Sequence, residues 1–205
     1  MRLFDQLLEA AGTKLKKSEL YDLLYFKALE GDTDCGGLVS YNCYSGEPVT
    51  GLEEGRPMLV RQPENKLTLG NFMRAQLYAA MATLQIGMDI LWEEKVEVDK
   101  LYGHGGLFKT KGVGQQLLAG ALGVPVAVME TAGEGGPWGM ALLAAYRKNR
   151  QEGETLADYL EQKVFAGAAG DCVAPKAEDQ EGFGRYIQRY KAGLAAEKAA
   201  GEALK

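Results

Sequence analysis

Apolar and polar positions follow two periodicities along the chain, and together they predict an α/β protein. Apolar residues at every third or fourth position indicate amphipathic helices. Short runs of β-branched and aromatic residues indicate strands. The helices are expected over residues 2–11, 17–30, 67–94, 115–122, 140–146 and 154–163 and from about residue 180, and the strands over residues 36–44, 58–61, 96–102 and 124–129.

Two glycine-rich segments each follow a predicted strand and precede a predicted helix. The first reads Gly-His-Gly-Gly-Leu-Phe-Lys-Thr at residues 103–110, and the second reads Gly-Glu-Gly-Gly-Pro-Trp-Gly at residues 133–139. At such positions backbone N–H groups and a helix N-terminus can face a polyanionic ligand. The pair therefore indicates a nucleotide site. The plainer alternative is that these glycines serve only as turns and helix caps.

Neither standard phosphate-binding pattern is complete in the first segment. Residues 103–110 match G-x-x-x-x-G-K-[ST] except that Phe108 stands at the position of the last glycine. The same substitution removes the last glycine of the dinucleotide pattern G-x-G-x-x-G. A phenylalanine at this position is strained if its φ angle is positive.

Composition and charge argue against several classes of function. The formal net charge is −5 and no basic cluster is interleaved with aromatic residues, so nucleic acid is not expected as a partner. No apolar run reaches membrane-spanning length, and Asp5 and Glu9 in the first helix argue against a secretory signal. Three cysteines without C-x-x-C spacing suggest reduced thiols and a cytoplasmic protein. His104 is the single histidine, and no metal site is predicted.

Short motifs occur along residues 36–149 in a recognisable order. They are Ser-Gly-Glu-Pro at residues 45–48, Gly-Gly-Leu-Phe-Lys-Thr at residues 105–110, Gln-Leu-Leu-Ala at residues 116–119 and Gly-Pro-Trp-Gly-Met-Ala-Leu-Leu-Ala at residues 136–144. On these motifs the chain resembles the C-terminal half of the FGGY-family carbohydrate kinases, of the xylulokinase kind. The second motif resembles the family's adenosine motif Gly-Gly-Gly-Ala-Lys-Ser, from which Leu107 and Phe108 depart.

This resemblance implies an actin-like ATPase (ribonuclease H-like) domain of the α/β class. It would form the C-terminal half of a two-domain sugar kinase, with the N-terminal part of the domain missing. Residues 1–150 would be the nucleotide-side domain, and residues 151–205 a helical extension of it with a frayed tail, because residues 195–205 offer little apolar surface. The implied cofactors are ATP and Mg²⁺, the magnesium bound mainly by the missing part. The implied cofactor-binding residues are Gly105, Gly106, Lys109, Thr110, Gly136 and Gly139.

No catalytic residue is predicted within the chain. By the resemblance, the family's catalytic aspartate and its Gly-Thr-Ser phosphate loop precede the helix that begins at Met1, so the chain alone is expected to be inactive. The full-length enzyme would phosphorylate a sugar hydroxyl, with a ketopentose such as xylulose as the first choice. Its own N-terminal domain would be the partner of this chain, and a homodimer stays open. The alternatives are an actin-like ATPase domain without a sugar substrate and a non-catalytic interaction domain.

For single side chains the sequence leaves a functional and a structural interpretation open. Lys109 could reach a phosphate or lie in solvent, and Thr110 could cap the following helix or hydrogen-bond to adenine. Trp138 is expected to pack in the core rather than to stack on a ligand. His104 is expected to be a turn residue rather than a catalyst.

Overall fold

Helices and short strands alternate in the computed structural model, which describes residues 1–129, 135–166 and 170–204. The helices are α1 (Arg2–Ala10), α2 (Lys17–Leu29), α3 (Leu69–Glu93), α4 (Val113–Leu122), α5 (Gly135–Asn149), α6 (Leu156–Tyr159) and α7 (Ala177–Ala203). The strands are β1 (Val39–Tyr41), β2 (Met58–Val60), β3 (Leu101–Gly103), β4 (Val126–Val128) and β5 (Asp171–Val173). A π-helical turn at Leu160–Val164 continues α6.

The strands form two small sheets. β1 and β2 pair antiparallel, whereas β3 and β4 pair in parallel and β4 pairs antiparallel with β5. In the parallel pair Gly103 is the register partner of Val128, the last residue of β4. The chain segments that leave β3 and β4 therefore start side by side, at the same edge of the sheet.

The core is built around α3, which packs along α2 and also contacts α4, α7 and β1. Tyr78 is fully buried in α3, and its ring lies against two aromatic rings of α7. The ring centroids are 4.9 Å apart for Phe183 and 5.3 Å apart for Tyr186. Aromatic pairs of this geometry contribute beyond the area that they bury.

A buried ion pair lies inside this core. Arg74 Nη2 of α3 and Asp179 Oδ1 of α7 are 3.3 Å apart, and the two side chains are 2% and 1% exposed. Arg74 Nε also donates to the carbonyl oxygen of Ala28 in α2 at 3.0 Å. Gln116 Nε2 of α4 donates to the second oxygen of the Asp179 carboxylate at 2.9 Å. The pair therefore joins α2, α3, α4 and α7.

The predicted helices are confirmed with shifts at their ends, but the strands are shorter than predicted. Residues 36–44 do not form one strand, because a 3-10 turn at Cys35–Gly37 precedes β1. All three residues of that turn have positive φ angles, which interrupts an extended backbone. Of residues 96–102, only the last two belong to β3. β5 is not predicted, because Gly167, Gly170 and Pro175 around it indicate an irregular segment.

The tail that is expected to fray belongs to a continuous helix in its described part. α7 continues to Ala203, and Glu197 and Gly201 are buried. Glu197 Oε1 accepts a hydrogen bond from the backbone N–H of Arg56 at 2.6 Å, and Arg56 Nε donates to the carbonyl oxygen of Leu204 at 2.8 Å. The end of the helix is held by polar contacts with the loop before β2, and such contacts leave no apolar pattern in the sequence.

The three cysteines are free thiols, with Cys35 and Cys43 buried and Cys172 exposed. Burial raises the pKa of the Cys35 and Cys43 thiols above the ordinary value, which keeps both protonated at neutral pH. Within the described part of the chain, every helix is too short or too polar to cross a membrane.

We expect Asp179→Ala to lower the free energy of unfolding by about 3–5 kcal/mol, because it leaves the buried charge of Arg74 without its partner. Urea unfolding followed by circular dichroism measures this change. Lys27→Ala is the control, since Lys27 pairs with Glu30 at 2.7 Å while the side chains are 44% and 63% exposed. An exposed pair of this kind contributes at most about 1 kcal/mol. Equal losses in the two variants would contradict the role assigned to the buried pair.

Candidate functional site

The candidate site lies where the segments that leave β3 and β4 meet. Residues 103–110, here called the glycine turn, follow β3 directly. A Cβ atom placed on Gly135, the first residue of α5, would lie 2.9 Å from Nδ1 of His104. The start of α5 therefore lies against the glycine turn at the carboxyl ends of two parallel strands. Open α/β sheets bind ligands at such an edge.

The second glycine-rich segment differs from the predicted turn. Residues 130–134, which include Gly133, lie outside the described residues. Gly136 and Gly139 belong to α5, which begins at Gly135 instead of near residue 140. They are therefore residues at the start of a helix rather than residues of a loop, and a Cβ atom on either would meet no atom within 4 Å.

The glycine turn contains a single 3-10 turn at Gly106–Phe108. Gly105 precedes it with φ 97° and ψ −170°, a backbone region that is essentially reserved for glycine. The N–H groups of Phe108 and Lys109 donate to the carbonyl oxygens of Gly105 and Gly106 at 3.1 and 3.3 Å. The φ angle of Phe108 is not positive, so the strain considered from the sequence does not arise.

Leu107 and Phe108, the two departures from the adenosine motif, face the protein interior. A Cβ atom on Gly103 would lie 2.5 Å from the ring of Phe108, and one on Gly114 would lie 3.0 Å from Cγ of Leu107. Both side chains are partly buried and pack against the core. The two bulky residues therefore support the turn from the inside.

The opposite face of the glycine turn is open. A Cβ atom on Gly105 or on Gly106 would meet no atom within 4 Å. Lys109 follows on the same turn with an exposed side chain. A ligand can therefore approach the backbone of both glycines closely.

The hydroxyl of Thr110 bonds to another helix instead of capping α4. Its Oγ1 donates to Oδ1 of Asp22 in α2 at 2.6 Å, and only 4% of the residue is exposed. The N-cap of α4 is Gly112, without a side-chain capping bond. Thr110 is therefore held against α2 by its hydroxyl, and its hydrogen bond to adenine stays a prediction. Asp22 precedes Thr110 by 88 residues, and no motif links the two in the sequence.

A cleft of about 810 Å³ lies beside the glycine turn, between the β3–β4 face and α5. Trp138 forms part of its wall and is half-buried, so the prediction that this side chain packs in the core is wrong. Gly139 also lines the cleft, whereas the predicted site residues of the glycine turn lie next to it. Among the described residues, aromatic and apolar side chains dominate the lining, which also includes Lys100, His104 and Glu161.

Two glutamines of α4, the helix that follows the glycine turn, form hydrogen bonds with β5 and α7. Gln116, which belongs to the family-like motif, bonds to Asp179 of the buried ion pair. Gln115 Nε2 donates to the carbonyl oxygen of Asp171 in β5 at 2.7 Å. The motif residue Gln116 therefore has a structural contact in this chain, and Gln115 is a supporting residue that the sequence does not identify.

The described residues contain no group of three or more His, Cys, Asp or Glu side chains that could hold a metal ion. Asp171, the first residue of β5, has its Oδ2 atom 3.5 Å from Nζ of Lys111, the residue after the glycine turn. Both side chains are largely exposed. Lys111 and Asp171 therefore form an exposed ion pair directly after the glycine turn.

Comparison with known proteins gives one matching family, the FGGY family of carbohydrate kinases, C-terminal domain, over residues 2–147. Xylulose kinase from Rhodospirillum rubrum is similar in structure, with TM-score 0.64, 19% identity and coverage of 88% of this chain and 34% of that one. Gluconate kinase from Lactobacillus acidophilus has TM-score 0.63, 16% identity and coverage of 89% and 35%. Glycerol kinase from Plasmodium falciparum, solved with ADP, has TM-score 0.59, 16% identity and coverage of 89% and 34%. The chain spans about one third of the length of these structures, and no curated protein matches it.

We expect Gly105→Ala and Gly106→Ala to differ in stability, although a methyl group fits in open space at both positions. Gly105→Ala should lower the free energy of unfolding by about 1–3 kcal/mol, because alanine does not tolerate the backbone conformation of this residue. Gly106→Ala, whose φ is not positive, should change it by less than about 0.5 kcal/mol. Thermal unfolding of both variants gives the comparison, and equal midpoints would contradict the assigned backbone geometry.

Proposed function

We propose that this chain binds the adenosine part of ATP for a sugar kinase, because it belongs to the FGGY family of carbohydrate kinases. Its α/β structure is the actin-like ATPase fold of the family's C-terminal domain. The observation that carries the proposal is the contact between the glycine turn and the start of α5 at the carboxyl ends of β3 and β4.

Each proposed contact follows from a feature of the site. Gly105 and Gly106 present open backbone to the nucleotide, and Lys109 contributes a positive charge to its phosphate side. Gly136 lies in the first turn of α5, where free N–H groups and the helix dipole favour an anion. Gly139 follows in the next turn and is proposed to line the nucleotide cleft. Thr110 is proposed to support the turn, since its hydroxyl bonds to Asp22.

Phosphoryl transfer further requires a base at the sugar hydroxyl and groups that neutralise the γ-phosphate. We propose that another part of the enzyme supplies these groups and most of the Mg²⁺ ligands, because the chain spans about one third of the length of the similar kinases. The exposed apolar face of α5 supports a contact with that part. Met140 and Leu143 on this helix are 68% and 49% exposed, and none of its residues is buried.

The substrate is proposed to be a sugar or polyol, with xylulose as the first choice on the motif resemblance. The similar structures include kinases named for xylulose, gluconate and glycerol, which differ in chain length and oxidation state. The residues described here lie on the nucleotide side and do not select among these substrates. The three free cysteines favour a cytoplasmic location for the enzyme.

We expect the protein at its full natural length to release ADP at about 1–100 s⁻¹ with one substrate of a panel containing xylulose, gluconate and glycerol. The 205-residue chain alone should show no sugar-dependent release, because the base is proposed to belong to another part of the enzyme. A coupled ADP assay measures both. ATP hydrolysis that no sugar stimulates would favour an actin-like ATPase, and absence of ATP binding would favour an interaction domain. Sugar-dependent turnover by the chain alone would contradict the proposal that another part of the enzyme supplies the base.

We expect Gly106→Val and Gly136→Val each to weaken ATP binding by the full-length protein about tenfold or more. Both side chains would project into open space, so the loss reports on the ligand rather than on the fold. Gly184→Val on α7 is the matched control, since a Cβ atom there also meets no atom within 4 Å. Isothermal calorimetry with ATP and with the sugar measures both affinities. Unchanged ATP affinity in both folded variants would place the nucleotide elsewhere.

A further inference from the structure

We infer that Asp22 of α2 is a positioning residue for the nucleotide, acting through Thr110 on the glycine turn. The two side chains meet in one hydrogen bond, from Oγ1 of Thr110 to Oδ1 of Asp22, at 2.6 Å. The inference rests on the proposed function, because it assigns to this bond the task of holding the turn in the conformation that receives ATP.

The bond holds the last residue of the glycine turn, where the chain belongs to neither a helix nor a strand. The beginning of the turn is continuous with β3, and the ring of Phe108 lies over Gly103. After the 3-10 turn the chain must pass through Gly112, whose φ is 82°, before α4 begins. Thr110 lies between these two points outside helix and strand, and it is nevertheless 4% exposed. In this buried position the hydroxyl of Thr110 is satisfied by its bond to Asp22.

Asp22 is a firm anchor because its helix is fixed on both sides of it. Leu20 and Leu24, two residues before and after it, are 4% and 1% exposed in the core. α2 packs along α3 and also contacts α4. Asp22 itself is exposed, so packing in the core does not explain why an acidic residue occupies this position.

The bond is suited to transmit position to the ligand-facing backbone. A hydroxyl donating to a carboxylate oxygen makes a short, charge-assisted bond that is stronger than a neutral one. Lys109 precedes Thr110 directly, and its N–H donates to the carbonyl oxygen of Gly106 at 3.3 Å. Displacement of Thr110 therefore moves Lys109 and loosens the hydrogen bond that closes the turn at Gly106. The open glycine face and the lysine would both be affected.

The test compares Asp22→Ala, Asp22→Asn, Thr110→Val and Thr110→Ser in the full-length protein. We expect Asp22→Ala and Thr110→Val each to weaken ATP binding about tenfold, equivalent to about 1.4 kcal/mol, with no further loss in the double variant. Thr110→Ser keeps the hydroxyl and should bind ATP like the unchanged protein. Asp22→Asn keeps an acceptor oxygen without the charge and should lose less than Asp22→Ala.

Two further measurements separate positioning from a purely stabilising contact. Sugar affinity should be unchanged in all four variants, and amide hydrogen exchange within residues 103–110 should accelerate in Asp22→Ala without nucleotide. Asp89→Ala is the matched control, because Asp89 also accepts a bond between two elements, from Lys191 Nζ at 2.7 Å, and α3 and α7 carry this pair. That variant should keep the ATP affinity.

The outcomes distinguish this inference from the proposed function. No ATP binding by the unchanged protein would overturn the proposed function and the inference with it. ATP binding that is equal in the unchanged protein, Asp22→Ala and Thr110→Val would overturn the positioning role alone. Additive losses in the double variant would also overturn it, since the two residues would then act separately.

Discussion

The buried ion pair between Arg74 and Asp179 is the constraint on which the arrangement of the helices depends. Two charges that are almost completely removed from water are costly unless their remaining polar atoms are also bonded. The carbonyl oxygen of Ala28 and the amide of Gln116 supply such bonds, whereas Nη1 of Arg74 is buried without a hydrogen-bond partner. The guanidinium carbon of Arg74 lies 5.6 Å from the ring centroid of Tyr78. Each partner comes from a fixed place on its helix, so the pair sets the register of the helices as well as their contact.

The same constraint reaches the candidate site through α4. Asp179 approaches α4 closely because Gly120 has no side chain, and a Cβ atom there would lie 2.5 Å from Cβ of Asp179. Gln116, one helical turn earlier, holds the carboxylate. The start of α4 and the glycine turn before it are thereby placed relative to the core. The site consists of exposed backbone on one face, whereas the groups that determine its geometry are buried behind it.

The sequence predicts the helices and the glycine turn well, because both depend on local patterns. Periodic apolar residues identify α3, and glycines that follow a strand identify the region of residues 103–110. Contacts between distant residues leave no such pattern, and the bond between Asp22 and Thr110 is one example. The direction of Phe108 also depends on tertiary packing, and its ring lies against Gly103 on the inner side of the turn. The sequence predicts a later start for α5, at residue 140 instead of Gly135, because glycine and proline normally indicate loops.

The position of α7 has a consequence for how the protein folds as it is synthesised. Asp179 lies 105 residues after Arg74, and Leu204 lies 148 residues after Arg56. When α2, α3 and α4 have left the ribosome, the guanidinium group of Arg74 still lacks its carboxylate, and burying it alone is strongly unfavourable. The early helices are therefore expected to remain loosely associated until α7 emerges and completes the core. Contacts of such long range slow folding and lengthen the time during which apolar surface is exposed to aggregation or to chaperones.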